Sequence, residues 1–471
     1  MRYVSSKTVG RALGAALLIG ALGACDFIEP VTTDPNAVPQ ATIDQLFTGI
    51  QVNTWFFAEG QLSRLSSLWT QQMTGTDRQF TALDGYLFNE QDTDGEFQAL
   101  YTGGGLVDLA LAIDQAESAG RNAYAGILKI HEAYLFGMGA SLWGDIPYSE
   151  ANDVEITSPA LDDQADVYAS VQALLSEAIS DLTTGGDPIP VPAGTDMSLG
   201  GDADAWIAVA HTLKARYYMH WAEVNGTSAY TSALSEANQG IMSASGNWEA
   251  VHTTTATENN GWYQFLRDRA GYISSGDYLL PAMREDSDPR LSIYFSAGSG
   301  GTYVSPEEAG GGAAASGMNE TDGRGAPEAE FPMVSCAENY FIIAEAELQA
   351  GSGAAAAIAA AKNALGCQED YYGVDLTAQK AAFDGLSGTD LLEEIMMQKY
   401  TALFLNIESW NDYKRTCLPE ITPRVSQGVP ARLYYGLTER QTNPNVPEPA
   451  DQAGGHGFRA GHNDNDPAGC G

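Results

Sequence analysis

Helical periodicity limits this chain's architecture more than any other feature. Apolar side chains recur at helical spacing in one segment after another. Ile127, Ile130, Tyr134, Met138 and Leu142 fall on one stripe within 122–143, and Val167, Val171, Leu174, Ala178 and Leu182 within 164–183. Trp206, Ala210, Leu213, Tyr217 and Trp221 repeat the pattern over 203–223, and Tyr230, Leu234, Ala237 and Ile241 over 228–243. Ile43, Phe47, Ile50 and Phe57 form an earlier stripe. Leu392, Met396 and Leu403 mark a helix over 390–404, with Asp390 and Glu393 at capping-box spacing. Strand signals are few and short. Helices in consecutive pairs, about 40 residues apart, predict a mostly α fold: about four tetratricopeptide-like hairpins stacked around a shared core.

Residues 70–95, 185–202, 245–335 and 418–448 interrupt the helices. They are rich in Gly, Ser, Thr, Asp and Pro, and each is too long for a plain connector. Long loops on a rigid helical scaffold are where binding is expected. The partner is not a nucleic acid, because 23 Lys+Arg against 61 Asp+Glu give a formal charge of −38, which repels phosphate backbones and anionic lipid head groups.

The first 24 residues carry Arg2, Lys7 and Arg11, no acidic residue, and an apolar run from Ala12 to Leu22. This pattern predicts a signal peptide, and its run is well short of the roughly 20 residues that span a bilayer. Leu22-Gly23-Ala24-Cys25 resembles a bacterial lipobox, so Cys25 is expected to be acylated, with fatty acids such as palmitate, and to become the mature N-terminus. The expected organisation is a lipoprotein signal peptide over 1–24, a lipidated tether over 25–40, a single helical domain over 41–448 and a Gly-rich flexible tail over 449–471. Attachment to a membrane would then depend on acyl chains alone.

Removing Cys25 leaves Cys336, Cys367, Cys417 and Cys470, an even number that permits two disulfides in an exported chain. Residues 337–350 and 354–366 read as two helices around the Gly351-Ser352-Gly353 turn. In such a hairpin the start of the first helix lies beside the end of the second, which predicts Cys336–Cys367. Cys417–Cys470 follows by elimination. Without a C-x-x-C pair or a His cluster, zinc is not expected.

The local sequences, in order, resemble the SusD/RagB family of outer-membrane nutrient-binding lipoproteins. The matching pieces are Asp34-Pro35-Asn36, Leu142-Trp143-Gly144-Asp145-Ile146-Pro147-Tyr148, Asp288-Pro289-Arg290-Leu291 and Ala344-Glu345-Ala346-Glu347. More specific are Gln398-Lys399-Tyr400, the run from Glu408 through Trp410-Asn411-Asp412-Tyr413-Lys414-Arg415, and Arg432-Leu433-Tyr434-Tyr435 followed by Asn443-Pro444. The resemblance implies four tetratricopeptide-type hairpins under a loop-built binding face. It also implies a cell-surface lipoprotein that acts as a lid on a TonB-dependent, SusC-like outer-membrane transporter and delivers oligosaccharides or, as an alternative cargo, peptides. A helical-repeat scaffold with no small ligand is the further alternative. Asp26, directly after the lipidated Cys, bears on which membrane retains the protein. The motif aromatics, beside Gly-Asp or Asn-Asp at helix ends, read as structural caps, and Arg290 and Arg432 as loop pins.

Ligand contact is expected from loop aromatics, since a sugar ring stacks its C–H face on Trp or Tyr while its hydroxyls need polar groups at the rim. Two clusters fit: Trp69, Gln71, Thr74, Asp77, Arg78, Gln79 and Tyr86, and Trp248, Asn259, Asn260, Trp262, Tyr263 and Tyr272. The leading candidates are Trp69, Arg78, Tyr86, Trp248, Trp262 and Tyr263. Glu90-Gln91-Asp92-Thr93-Asp94-Gly95 spaces carboxylates as a calcium loop would, but position twelve is Tyr101, so a helix start at Thr93 or Asp94 is the stronger reading and no cofactor is expected. Nor is an enzyme: His131-Glu132-Ala133-Tyr134-Leu135 lacks the second zinc-binding His, and no G-x-S-x-G elbow occurs.

Overall fold

Each apolar stripe becomes a helix that buries one face against its neighbours. The computed structural model describes residues 41–452 apart from Val154, Ala193, Ser352 and Gln427. The expected signal peptide, Cys25, Asp26, the 25–40 tether with Asp34-Pro35-Asn36, Cys470 and the tail beyond Gln452 lie outside the described residues. The described residues from Ile43 onward belong to one compact unit.

The chain enters through α1 (Ile43–Glu59) and α2 (Gln61–Trp69). Then follow α3 (Leu106–Ser118), α4 (Asn122–Trp143), α5 (Gln164–Thr184), α6 (Ala203–Met219) and α7 (Thr227–Ala237). A short α8 (Gly261–Asp268) sits within the long irregular stretch. Last come α9 (Cys336–Ala350), α10 (Ala354–Tyr372), α11 (Gly388–Ala402) and α12 (Glu408–Thr416). Packing runs from neighbour to neighbour: α3 on α4, α4 on α5, α5 on α6, α6 on α7, α7 on α9, and α9 on both α10 and α11. The architecture is mostly α, built of tetratricopeptide-like hairpins.

Local readings differ from the structure in three places. The 228–243 helix buries Ala229, Ala233 and Ala237 rather than Tyr230 and Leu234, and ends at Ala237. The alanines allow close approach to α9, whose partner α10 likewise buries Ala357, Ala360, Ala361 and Ala364. The helix expected over 203–223 stops at Met219. The helix expected from Asp390 begins two residues earlier, after Ser387, so Asp390 lies in its first turn and does not cap it. Cys336 and Cys367 are joined by a disulfide with Cα atoms 5.9 Å apart, across the α9–α10 hairpin. Cys417 is also disulfide-bonded.

Three two-stranded antiparallel sheets organise the long loops: β1 (Met73–Gly75) with β3 (Ile273–Ser275), β2 (Trp248–Ala250) with β6 (Phe331–Val334), and β4 (Phe295–Ser296) with β5 (Gly317–Met318). The β1–β3 pairing, with Thr74 opposite Ser274, joins the two stretches from which ligand contact was expected.

Under these loops the family-like motifs meet as one polar frame. Arg415 forms a bidentate pair with Glu345 and reaches Asp412 at 2.7 Å, and Asp412 also binds Lys399 at 2.7 Å. Arg216 is bidentate to Glu338 at 2.6 Å, and Arg290 binds Asp288 at 2.6 Å and Gln398 at 2.9 Å. All of these side chains are buried, so the charges satisfy one another inside the core. Gly144 takes φ +87°, and a Cβ there would fall 2.1 Å from the Arg432 guanidinium; only glycine lets that arginine reach Gln164 Oε1. Trp143 Nε1 donates to Tyr434 O, Trp410 Nε1 to Pro430 O, and Leu433 N to Leu142 O. The motif residues therefore hold the loops onto the scaffold.

Candidate functional site

A groove of about 880 Å³ lies between α1, the start of α2, the 194–197 turn, the 251–259 loop and α8. Its wall is the outward face of α1. Ile43, Phe47, Ile50 and Phe57 face the core, while Val52 and Phe56, one helical turn apart, stand 53% and 49% exposed. Met197 joins them from the opposite side. An apolar surface of this kind, rimmed by polar groups, suits the C–H face of a sugar ring.

Polar groups complete the groove. Glu59, at the end of α1, accepts a hydrogen bond from His252 Nε2 at 2.9 Å, and Trp55 packs edge-on to that imidazole at 6.3 Å. Trp55 Nε1 has no hydrogen-bond partner among the described residues. Arg64, in the first turn of α2, lies 4.7 Å from the Phe265 ring centroid and donates to Gln61 Oε1 at 3.2 Å. Burial lowers its pKa to about 10, only partly offset by Glu96 and Glu59. Arg269 approaches the same ring at 5.6 Å from the end of α8. Phe265 is thus placed between the scaffold and the groove, with cations against it. Asn260 fixes α8 by accepting from the Trp262 and Tyr263 backbone N–H groups at 2.9 and 3.2 Å.

Most of the aromatics singled out in the sequence serve the core instead, which corrects the expectation that they contact ligand. Trp69, Trp248 and Trp262 are fully buried and Tyr86 nearly so. Trp69 donates to Leu83 O at 3.0 Å and packs on Trp410 at 4.9 Å; Trp262 donates to Ser63 Oγ at 2.9 Å; Trp248 packs among His131, Tyr134 and Trp206. The Trp69 and Trp262 N–H groups find partners under the loops, while Trp248 Nε1 has none among the described residues and its ring is held by packing alone; a composition reading cannot distinguish such buried rings from a rim. Arg78 is exposed beside Asp77 and Tyr263 is half-buried. Gln71, Arg78 and Tyr86 all take positive φ, near +56°, +55° and +62°, so the first cluster is a strained loop held by its surroundings. Asn259 lines the groove, but its amide donates to Thr253 O. Val52, Phe56, Arg64 and Arg269 escaped the sequence reading. The available signal was apolar residues on both faces of α1.

The carboxylates of the supposed calcium loop are engaged otherwise: Glu90 with Arg440, Asp92 with Asn89 N, and Asp94 with Thr438 N and Oγ1. Thr93 precedes a helix over Asp94–Ala99. His131 is buried, which lowers its pKa to about 4, so it is a neutral core residue. No described helix is long and apolar enough to cross a membrane.

A family model described as starch-binding and associating with the outer membrane, SusD-like, matches residues 35–436. Solved structures share the fold. A chitin-binding protein is 22% identical, with TM-score 0.75 over 90% of this chain and 100% of its own. A chitin-binding SusD homologue from Flavobacterium johnsoniae is 20% identical, with TM-score 0.72 over 86% and 94%. A SusD/RagB family protein from Bacteroides thetaiotaomicron is 21% identical, with TM-score 0.69 over 86% and 95%. No curated protein sequence matches.

Proposed function

The chain belongs to the SusD-like family, and from that premise we propose that it is a surface lipoprotein of the outer membrane that binds oligosaccharides in the α1–α8 groove and passes them to a TonB-dependent transporter. The observation that carries the binding role is the groove itself: an exposed apolar wall of Val52 and Phe56 facing polar side chains, in a volume suited to a few sugar units. Starch association in the family description and chitin binding by two structural neighbours support a glycan as cargo. Anchoring through Cys25 and delivery to a barrel are the family-based parts of the proposal.

Calorimetry of the mature protein against a polysaccharide panel tests it. A shallow, open site buries little ligand area, so dissociation constants of about 10 μM to 1 mM are expected. A panel without a binder sinks the groove reading. The lid role is checked separately by mild-detergent extraction, where recovery of the protein without any outer-membrane barrel counts against it.

A further inference from the structure

The groove holds an anomaly of charge. Acidic side chains outnumber basic ones by 61 to 23, so carboxylate partners are abundant, and many arginines elsewhere find them: Arg216 with Glu338, Arg284 with Glu308, Arg290 with Asp288, Arg415 with Glu345; Arg121 and Arg324 instead donate to backbone carbonyls. Arg64 and Arg269 have no carboxylate within 4.0 Å among the described residues. Both lie in the groove and both sit over the same Phe265 ring, at 4.7 and 5.6 Å.

The carboxylates that share the groove are already engaged. Glu59 binds His252, Asp196 accepts from Trp206 Nε1 at 2.7 Å and from three backbone N–H groups, Glu258 accepts from Thr253 Oγ1, and Asp268 pairs with Arg267. The charged donors of the groove without a carboxylate in ion-pair contact are the two guanidiniums, with Glu59 and Glu96 acting on Arg64, and Asp268 on Arg269, only at longer range. A guanidinium offers a planar fork of N–H donors that matches carboxylate and sulfate oxygens. Phe265 restricts both arginines, so less rotamer entropy is lost when an anion is bound.

We propose that the groove selects acidic glycans, with Arg64 and Arg269 receiving the carboxylate or sulfate of a sugar unit whose C–H face rests on Val52 and Phe56. This rests on the reading of the groove as the glycan site. The test is calorimetry with oligogalacturonate and oligoalginate, each beside its carboxyl-reduced counterpart, and with a sulfated galactan oligosaccharide beside its desulfated form. At least one acidic probe should bind about tenfold or more tightly than its neutral counterpart, and which probe does so distinguishes carboxylate from sulfate. Arg269 is exposed, so Arg269→Met should leave the melting temperature unchanged while bringing the acid-to-neutral affinity ratio below about threefold; Arg269→Lys should retain part of it, as a point charge without the fork. Equal affinities within every pair, or a ratio untouched by Arg269→Met, would overturn the acidic preference while leaving the groove as a glycan site. If no probe of either kind binds, the acidic preference is overturned as well, and the polysaccharide panel alone decides whether the groove is a glycan site.

Discussion

Two regions of this molecule use arginine in opposite ways. In the frame beneath the loops, Arg415, Arg216 and Arg290 are buried against Glu345, Glu338 and Asp288. In the groove, Arg64 and Arg269 face an aromatic ring and lack an acid partner among the described residues. A charge satisfied inside the protein fixes position, whereas one left unsatisfied at a concave surface is available to something that arrives from solvent. Recurrent sequence motifs point to the first kind, and only the fold shows the second.

The comparison breaks if the two regions respond alike to mutation. Arg415→Met leaves Glu345 and Asp412 buried with one cation fewer and should cost about 3–5 kcal/mol, read as a fall in the urea midpoint. Replacing Arg415 and Glu345 together by apolar residues of similar volume should recover most of that loss, because the penalty is the orphaned charge rather than the missing attraction. In the groove Arg269→Met should stay within about 0.5 kcal/mol of wild type. A cost there as large as at Arg415 would show Arg269 to be structural.

Trp262→Ala places the boundary between the regions. The indole is buried and bonded to Ser63, so its truncation is expected to cost about 3–5 kcal/mol through cavity formation. A folded, undestabilised Trp262→Ala protein that no longer binds glycan would return this residue to the ligand site. The case also shows where the sequence was legible. Helical stripes located α1, α4 and α5 closely, because burial of one face imposes a period that survives without tertiary knowledge, and the Gly351-Ser352-Gly353 turn located α9. The Cys336–Cys367 bridge follows from the same hairpin geometry. For the site, Trp248 and Trp262 lie within an irregular segment and Trp69 directly precedes one, and in sequence such positions read as loop aromatics. Those segments fold back through the β1–β3 and β2–β6 pairings and carry the rings into the core. Periodicity says which face of a helix is apolar, but cannot say that a second apolar pair, Val52 and Phe56, has been left in solvent.

A smaller effect separates carboxylates whose charge partners outweigh burial from those for which burial prevails. Asp412, held between Lys399 and Arg415, has its pKa lowered despite the opposing effect of burial. Glu132 accepts from the Tyr148 hydroxyl at 3.1 Å, and burial raises its pKa to about 7 against that bond and the more distant Lys129; Asp84, desolvated beside Arg424, is raised to about 6. The raised groups bind protons more tightly in the folded state, so their contribution is full below their ordinary values near 4 and is lost as pH rises through 6 and 7. The lowered group works in the other direction, and its contribution is lost as pH falls below its ordinary value. Stability should therefore peak at mildly acid pH and decline by on the order of 1 kcal/mol between pH 5 and 8. Glu132→Gln should flatten that decline and leave the acid limb in place. An unchanged slope in this variant would assign the effect to other groups.

The smallest expected change in stability comes from Phe56, and it has the most direct bearing on the groove. The ring is 49% exposed on a helix whose other face is packed, so Phe56→Ala should shift the unfolding free energy by less than about 0.5 kcal/mol. Its contact with a sugar face, if made, is worth roughly 1 kcal/mol, or about fivefold in affinity. Leu87 supplies the control: at 73% it is more exposed than Phe56 but does not line the groove. Leu87→Ala should therefore alter neither stability nor affinity. If Phe56→Ala weakens binding and Leu87→Ala does not, the loss follows location rather than general surface apolarity, because both substitutions remove a large exposed apolar side chain. Equal weakening by both would place the ligand elsewhere on the surface, and with it the role assigned to Arg64 and Arg269.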